Sequence, residues 1–226
     1  MKNVLPIAFV LLASLVSAQD GKVSLAPKEG DARKYKFTMN FTVGGMEVVL
    51  KSDATQDVKK VADGKIEEVL TYRNFSVVLA GSPMEGMEPE PVSTTVSSAG
   101  QLLRIGGGLA GTDVARLHLL GVFVPPSKAL AADETETIEF KGSDDKTIPK
   151  VKYEITFLGK EAVNGAERLK FRIKYSEDPA DGMRFTGTYW VTETGALVKA
   201  EGTFEEMFIP QAGATGSGRY LIESVG

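Results

Sequence analysis

The chain of 226 residues carries a formal net charge of −4 at pH 7, contains no cysteine and has a single histidine. Its mild acidity argues against nucleic acids and anionic lipid surfaces as partners, because both require a basic face. Without cysteine there can be no disulfide, thiolate metal site or cysteine nucleophile. The length suits one all-β domain with a sizeable core.

The N-terminus has the pattern of a secretory signal peptide. The positively charged start is Lys2, and an apolar run follows from Val4 to Val16. The small-residue cleavage site is Val16-Ser17-Ala18. Because the run is shorter than the ~20 residues of a spanning helix, we expect cleavage and no later transmembrane span. The expected location is the periplasm or the outside of the cell. The expected organisation is a signal peptide (1–18), a flexible lead (19–31) and one β domain (32–226).

Apolar and polar residues alternate from Arg33 to Val43. A period of two predicts a strand with one buried and one solvated face. Gly44-Gly45 follows and predicts a two-residue hairpin turn, because both positions tolerate positive φ. The cross-strand pairs set by this turn are Phe41–Val48, Met39–Leu50 and Phe37–Ser52.

Asp63-Gly64 predicts a second hairpin turn. The strand after it, Ile66 to Leu79, has apolar residues on both faces of a regular strand, so we expect its outer side to be covered. The charge pairs expected across the turn are Lys60–Glu67 and Lys59–Glu68.

The same alternation predicts roughly eleven strands in all, separated by turn residues. Sequential hairpins give a meander, and a sheet of more than ~10 strands must curl or close. The sequence therefore predicts a mainly β protein with a single curled antiparallel meander sheet, a half-barrel or open barrel. The later strands and turns expected are Val92–Ser98, Ala99-Gly100, Leu102–Ile105, Thr135–Lys141, Ile148–Leu158, Asn164-Gly165, Arg168–Tyr175, Asp181-Gly182, Phe185–Val191, Thr194-Gly195, Leu197–Phe208, Gly216-Ser217-Gly218 and Arg219–Ser224.

One helix is predicted, over about Thr112 to Phe123, and Pro125-Pro126 would end it. Its apolar positions cover much of the circumference, so we expect it to cover or plug the sheet. The helical pattern rests on Val114, Leu117, His118, Gly121 and Val122, widened by Leu119, Leu120 and Phe123.

Two segments carry a family resemblance: KYEITFLGKEAVNGAERLKFRIK (152–174) and GTYWVTETGALVKAE (187–201). Their order of strand, Asn-Gly turn, strand, Trp-containing strand and Thr-Gly turn resembles the last strands of secreted bacterial proteins related to the LolA/LppX lipoprotein-carrier superfamily. VSSAGQLLRIG (96–106), with the apolar helix and proline pair after it, resembles a family of uncharacterised bacterial secreted domains. The resemblance implies a half-barrel whose concave side is covered by helix and loops. In the carriers, that side holds acyl chains.

No catalytic residue, metal site or cofactor is predicted, and we expect the protein not to be an enzyme. His118 without cysteine cannot form a zinc site of the usual kind. Met84 and Met87 could bind Cu(I) through thioethers, although a loop without such a site is favoured. Gly106-Gly107-Gly108 lacks the Lys and Ser/Thr of a phosphate loop. Adjacent carboxylates on strands point to opposite faces and cannot flank one glycosidic bond.

The remaining candidate is an apolar groove between sheet and helix, which is either a packed core or a site beneath a hinged lid. The expected function is an exported envelope protein that binds a lipid or other apolar ligand there. The alternative is a structural or protein-interaction domain with a packed core and an envelope protein as partner. The candidate lining residues are Tyr35, Phe37, Met39, Phe41, Leu50, Leu117, Leu120 and Phe123.

Overall fold

The computed structural model describes residues 20–84, 89–107, 116, 118–178, 182–209 and 213–225. Within these ranges the chain forms twelve strands in one antiparallel sheet, so the mainly β class and the single curled sheet are confirmed. The strands are β1 (Ala32–Val43), β2 (Met46–Ala62), β3 (Lys65–Leu79), β4 (Ser82–Met84), β5 (Val92–Ser97), β6 (Leu102–Gly107), β7 (Thr135–Phe140), β8 (Lys150–Val163), β9 (Ala166–Asp178), β10 (Arg184–Val191), β11 (Leu197–Ile209) and β12 (Ala214–Val225).

The first and last strands pair with each other in the middle of the sheet. The strand order is β6-β5-β3-β2-β1-β12-β11-β10-β9-β8-β7, with β4 also pairing with β3. The sheet is therefore two meanders joined by the β1–β12 ladder, and within the described residues β6 and β7 are the two ends of the main strand order. The prediction of one continuous meander is wrong in this respect, because hairpin signals fix only sequential pairings.

Turn chemistry correctly predicted the register of the β1–β2 hairpin and the pairing nearest the Asp63-Gly64 turn. Gly44-Gly45, Asp63-Gly64 and Asn164-Gly165 each place two successive residues at positive φ, as a two-residue hairpin turn requires. All three predicted pairs between β1 and β2 occur, and so does Lys60–Glu67 between β2 and β3. An Ala80-Gly81 turn of the same kind leads into the short strand β4, which the sequence analysis did not predict.

The predicted pair Lys59–Glu68 is wrong. A bulge at Lys59 shifts the register, so that Val58 lies opposite Glu68. Lys59 instead contacts Asp57 with an N–O distance of 3.4 Å. Glu67 is exposed and Glu68 is buried on the inner side, as strand alternation requires.

The Gly216-Ser217-Gly218 segment is not a separating turn but part of β12. It pairs with the end of β1, where Gly218 lies opposite Phe41. A Cβ on Gly218 would come within 2.4 Å of the Phe41 Cβ. The glycine is thus needed for close approach of a neighbouring strand rather than for chain reversal.

The connection between β6 and β7 must travel from one edge of the sheet to the other. Its described part, residues 116 and 118–134, crosses the concave face, and Leu120, Val124 and Leu130 are fully buried there. Leu117 and residues 112–115 of the predicted helix lie outside the described residues. A helix that continues to Phe123 is not supported: Arg116, His118 and Leu119 are helical, but the backbone turns at Leu120-Gly121, and residues 122–126 have no regular structure.

Two polar contacts fix this connection to the sheet. The Arg116 guanidinium donates to both carboxylate oxygens of Glu177 on β9, with N–O distances of 2.7 to 3.2 Å. Glu177 also accepts from the Tyr175 hydroxyl and the Met183 backbone N–H. Further along, the Tyr189 hydroxyl donates to the Leu120 carbonyl at 2.9 Å. These hydrogen bonds fix the position of the β6–β7 connection relative to β9 and β10.

The residues before β1 also lie against the domain. Val23 is buried, and the Gly21 N–H donates to the Leu130 carbonyl at 2.8 Å. The Ser24 and Ala26 N–H groups donate to carbonyls of the turn at Glu193-Thr194. Residues 20–26 are therefore held against the β6–β7 connection at Leu130 and against the turn between β10 and β11.

We expect Glu177→Gln to lower the free energy of unfolding by about 3 kcal/mol, because it removes the charge opposite Arg116 from a buried pair. The Glu177 side chain is only 2% exposed. The measurement is chemical denaturation followed by circular dichroism. Asp178→Asn is the matched control: Asp178 is 63% exposed and pairs with exposed Lys150, so it should cost below about 1 kcal/mol. Equal effects of the two variants would contradict the anchoring role.

Candidate functional site

The two halves of the concave face differ in how they are filled. Over β8 to β10, large aromatic side chains pack against the crossing connection, and Phe123 lies 5.2 Å from Phe171 between ring centroids. The large described side chains of this half are almost completely buried, which indicates dense packing. They are Tyr153, Ile155, Phe157, Phe171, Ile173, Tyr175 and Tyr189.

The other half, over β1 to β3, contains an apolar pocket with a volume of about 130 Å³. The pocket opens to solvent and is closed on one side by His118 and Gly121 of the connection. Larger grooves occur elsewhere, of up to about 360 Å³, but charged and polar side chains of the outer face dominate them. The described lining residues are Tyr35, Phe37, Leu50, Ser52, Ala54, Gln56, Leu70, Tyr72, Phe75, Pro89, Val92, His118, Gly121, Leu197 and Ile222.

Small residues in the middle of β2 create the space. Ala54 pairs with Tyr35 on one side and with Tyr72 on the other. Ser52 pairs with Phe37. A methyl and a hydroxymethyl group between larger rings leave a gap that a Leu or Phe at the same positions would fill.

A bulge in β3 turns additional apolar groups toward the same pocket. Asn74 has a φ of 51°, and the pairing of β2 with β3 shifts between Lys51 and Asp53. The bulge reverses the alternation, so that Tyr72 before it and Phe75 after it both line the pocket. The Asn74 amide donates to the Asp53 carboxylate at 2.6 Å and holds the bulge. This explains why β3 showed apolar residues on both faces of a regular strand.

A chain of hydrogen-bonded polar side chains leads from the pocket-lining residues Tyr35 and Gln56 to Glu68. The Gln56 amide donates to the Glu68 carboxylate at 2.7 Å, and the Tyr35 hydroxyl donates to the Gln56 carbonyl at 3.3 Å. Burial raises the pKa of Glu68, although the bond from Gln56 opposes the shift. Burial also raises the pKa of Tyr35 to about 12. The positive charge of Arg33 opposes both pKa shifts, so it is burial that disfavours the negative charge on these two groups.

Among the described lining residues, His118 has a buried ring nitrogen without a hydrogen-bond partner. Its side chain lies in the pocket wall and the residue is 6% exposed. Its Nε2 has no hydrogen-bond partner among the described residues. Burial lowers the pKa of the imidazole to about 4, so His118 is neutral at pH 7.

The structure brings together part of the predicted groove. Tyr35, Phe37 and Leu50 line the pocket. Met39 and Phe41, further along β1, are buried in the core, where Phe41 contacts Phe204 with ring centroids 5.9 Å apart. The predicted residues of the connection are divided as well: Leu120 and Phe123 are core residues, and Leu117 lies outside the described residues.

Sequence reasoning missed most of the β3 side of the pocket and the small residues beneath it. The pattern did contain a signal, because Ser52 and Ala54 interrupt the apolar series that Val48 and Leu50 begin on β2. The β3 contribution had no such signal. It depends on the bulge at Asn74, which a regular alternation cannot reveal.

The structure gives limited support to the other candidate sites, the Cu(I) site at Met84 and Met87 and the phosphate loop at Gly106-Gly107-Gly108. Met84 is exposed at the end of β4, and Met87 lies outside the described residues. Gly106 and Gly107 belong to β6, and Gly108 lies outside the described residues. Among the residues described, no cluster of three His, Asp or Glu side chains suits a metal ion. The described ranges contain no helix that is long and apolar enough to cross a membrane.

Comparison with known proteins gives a fold relationship. No family model matches the chain, and no curated protein sequence is similar to it. A structure on lipid–protein interactions in lipovitellin is similar with a TM-score of 0.51 and 11% identity, over 88% of this chain and 25% of that chain. The chain thus spans about a quarter of the lipovitellin chain, and the similarity shows the fold alone.

A DUF1329 family protein from Desulfovibrio piger aligns over 87% of this chain and 85% of its own, with 10% identity and a TM-score of 0.26. A score this low carries no argument about either fold or function. No family is established for the chain, and the resemblance to the LolA/LppX superfamily stays a prediction.

We expect the imidazole of His118 to titrate near pH 4 rather than near its usual value of about 6.5. Since His118 is the single histidine, nuclear magnetic resonance of ¹⁵N-labelled, untagged protein measures this directly. Between pH 6.5 and 4 the unfolded state binds a proton that the folded state does not, so the free energy of unfolding falls as the pH is lowered.

His118→Leu should remove this component of the pH dependence. Glu68, whose pKa is raised, acts in the opposite direction and is retained in both proteins, so the difference between them isolates His118. A titration midpoint near 6.5 would contradict the buried position of the imidazole.

Proposed function

We propose that this protein is a non-catalytic exported protein that binds an apolar ligand in the pocket over β1 to β3. The observation that carries the proposal is an unfilled apolar pocket beside a tightly packed half of the same concave face. Several of its lining residues, among them Leu70, Tyr72 and Phe75, are only partly buried. Apolar surface left in contact with water at a concave site is typical of a ligand-binding site.

The pocket volume limits the part of the ligand that is buried. A volume of about 130 Å³ compares with an engineered cavity of about 150 Å³ that binds benzene. It is below the roughly 300–1,000 Å³ of sites that enclose a drug-sized molecule. The proposed ligand is therefore a small apolar molecule, or one end of a lipid whose remainder stays outside the pocket.

The similarity to lipovitellin supports a lipid as one form of this ligand, since lipid–protein interactions are described for that protein. The signal-peptide pattern of residues 1–18 supports export, to the periplasm or the outside of the cell. Residues 1–19 lie outside the described ranges, so this part of the proposal rests on sequence pattern.

A second candidate function is a structural or protein-interaction domain without a ligand. The small volume of the pocket favours it, as does the dense packing over β8 to β10. In that case the partner is an envelope protein, and apolar probes have no specific site.

We expect Ala54→Leu to weaken binding of an apolar probe at least about tenfold, because the larger side chain occupies the gap between Tyr35 and Tyr72. Fluorobenzene followed by ¹⁹F nuclear magnetic resonance is a suitable probe, since a ring of this size matches the pocket. Thr55→Leu is the matched control: it adds the same side chain to the opposite face of β2 and should leave binding unchanged.

Absence of saturable binding by the unsubstituted protein would overturn the ligand-binding proposal and leave the packed-core candidate. Equal binding by the Ala54→Leu and Thr55→Leu variants would place the site elsewhere. Circular dichroism of each variant establishes that the fold is retained.

A further inference from the structure

A second, smaller cavity adjoins the apolar pocket on the concave face. Its volume is about 50 Å³. Among its described lining residues the charged ones are Arg33 and Glu68, neither of which lines the apolar pocket, and we call it the polar cavity. The described residues that line both spaces are Tyr35, Gln56, Gly121 and Leu197. A molecule of sufficient length can therefore place one part in an apolar space and another part beside charged groups.

The carboxylate of Glu68 is a buried acceptor whose capacity is only partly used. The residue is 6% exposed, and its Oε2 accepts from the Gln56 amide at 2.7 Å. Its Oε1 has no hydrogen-bond partner among the described residues, and it is not one of the polar atoms that are sealed from solvent. Because Glu68 lines the polar cavity, a small group in that cavity can reach Oε1.

Arg33 brings the opposite charge to the same cavity. Its guanidinium lies 3.9 Å from the Asp31 carboxylate, between N and O atoms, and its side chain is 23% exposed. Its positive charge acts on both Tyr35 and Glu68, but Arg33 and Glu68 form no ion pair within the described part of the chain. The polar cavity is thus lined by a cation and a carboxylate that are not in direct contact.

A neutral group that both donates and accepts hydrogen bonds suits this pair of charges better than an ion does. A carboxylate would accept from Arg33 but would place a second negative charge near Glu68, and an ammonium group would donate to Glu68 but would lie near Arg33. A hydroxyl group can donate to Glu68 and accept from Arg33. It can also pair with Glu68 in either protonation state, because a protonated carboxyl group donates instead.

We propose that the ligand is an amphiphile whose apolar part occupies the pocket and whose hydroxyl group lies in the polar cavity, hydrogen-bonded to Glu68 Oε1. This inference rests on the proposed function of the pocket and specifies its ligand class. The polar cavity has room for the group, since its volume of about 50 Å³ exceeds the ~10–15 Å³ that one water molecule requires.

The test compares phenyl-substituted alcohols with the hydrocarbons of the same chain length. Benzyl, phenethyl and hydrocinnamyl alcohol, which differ in reach, are titrated at pH 7 into the ¹⁵N-labelled full chain, and so are toluene, ethylbenzene and propylbenzene. Backbone amide shifts give the dissociation constants. We expect all six compounds to bind saturably and at least one alcohol to bind about tenfold more tightly than its hydrocarbon, the equivalent of one hydrogen bond to a carboxylate. Hydrocinnamate and phenethylammonium should bind more weakly than that alcohol.

Glu68→Leu should remove the advantage of the alcohol and leave hydrocarbon binding unchanged or tighter, because an apolar side chain replaces the carboxylate. Glu67→Leu is the matched control: Glu67 is exposed on the opposite face of β3, so the advantage should be retained. If Glu68→Leu does not fold, the comparison of alcohols with hydrocarbons in the unsubstituted protein still tests the inference.

The outcomes separate the inference from the proposed function. If the hydrocarbons bind but no alcohol binds more tightly than its hydrocarbon, the head-group inference is overturned and the apolar site stands. Tighter binding of a charged analogue than of every alcohol, or equal effects of the Glu68→Leu and Glu67→Leu variants, would overturn the inference in the same way. If none of the compounds binds saturably, both the inference and the ligand-binding function are overturned.

Discussion

The pairing of β1 with β12 is the constraint on which the rest of the structure depends. The ladder runs from Lys34–Val225 to Val43–Gly216, so the two ends of the domain lie in the middle of the sheet. The strands that meet the β6–β7 connection are consequently the two edges. That connection has to cross the concave face, and its apolar residues provide the second layer that a single sheet needs to bury a core.

Bulges in two strands then determine how completely side chains fill the space between the β6–β7 connection and the concave face of the sheet. At Glu206 on β11, with φ at 56°, the alternation shifts so that Phe204 and Met207 are both buried. A bulge at Asn74 on β3 likewise places Tyr72 and Phe75 on the same face of the strand, toward the pocket. In the first case the extra apolar groups complete the core. In the second they face the small residues of β2, and a pocket is left between them.

Features that depend on neighbouring residues could be predicted from the sequence, and features that depend on distant ones could not. Alternation and turn residues gave strand positions and the register of the β1–β2 hairpin, because both act over a few residues. The β1–β12 ladder joins strands separated by almost the whole chain, and no local pattern records it. The same reason applies to the site: Tyr35, Phe37 and Leu50 were identified within one hairpin, whereas His118 joins them only through the crossing connection.

The arrangement of the connection also bears on how a ligand would enter. The sequence analysis considered a hinged lid, but the described part of the connection is tied down on both sides of His118. Arg116 is held by the buried carboxylate of Glu177, and the Leu120 carbonyl accepts from Tyr189. Moving His118 away would break charge-assisted and buried hydrogen bonds together, at a cost of several kcal/mol. The side chains of Tyr72 and Phe75 on β3 are only partly buried, so the proposed ligand would exchange through changes of their rotamers rather than through displacement of the connection.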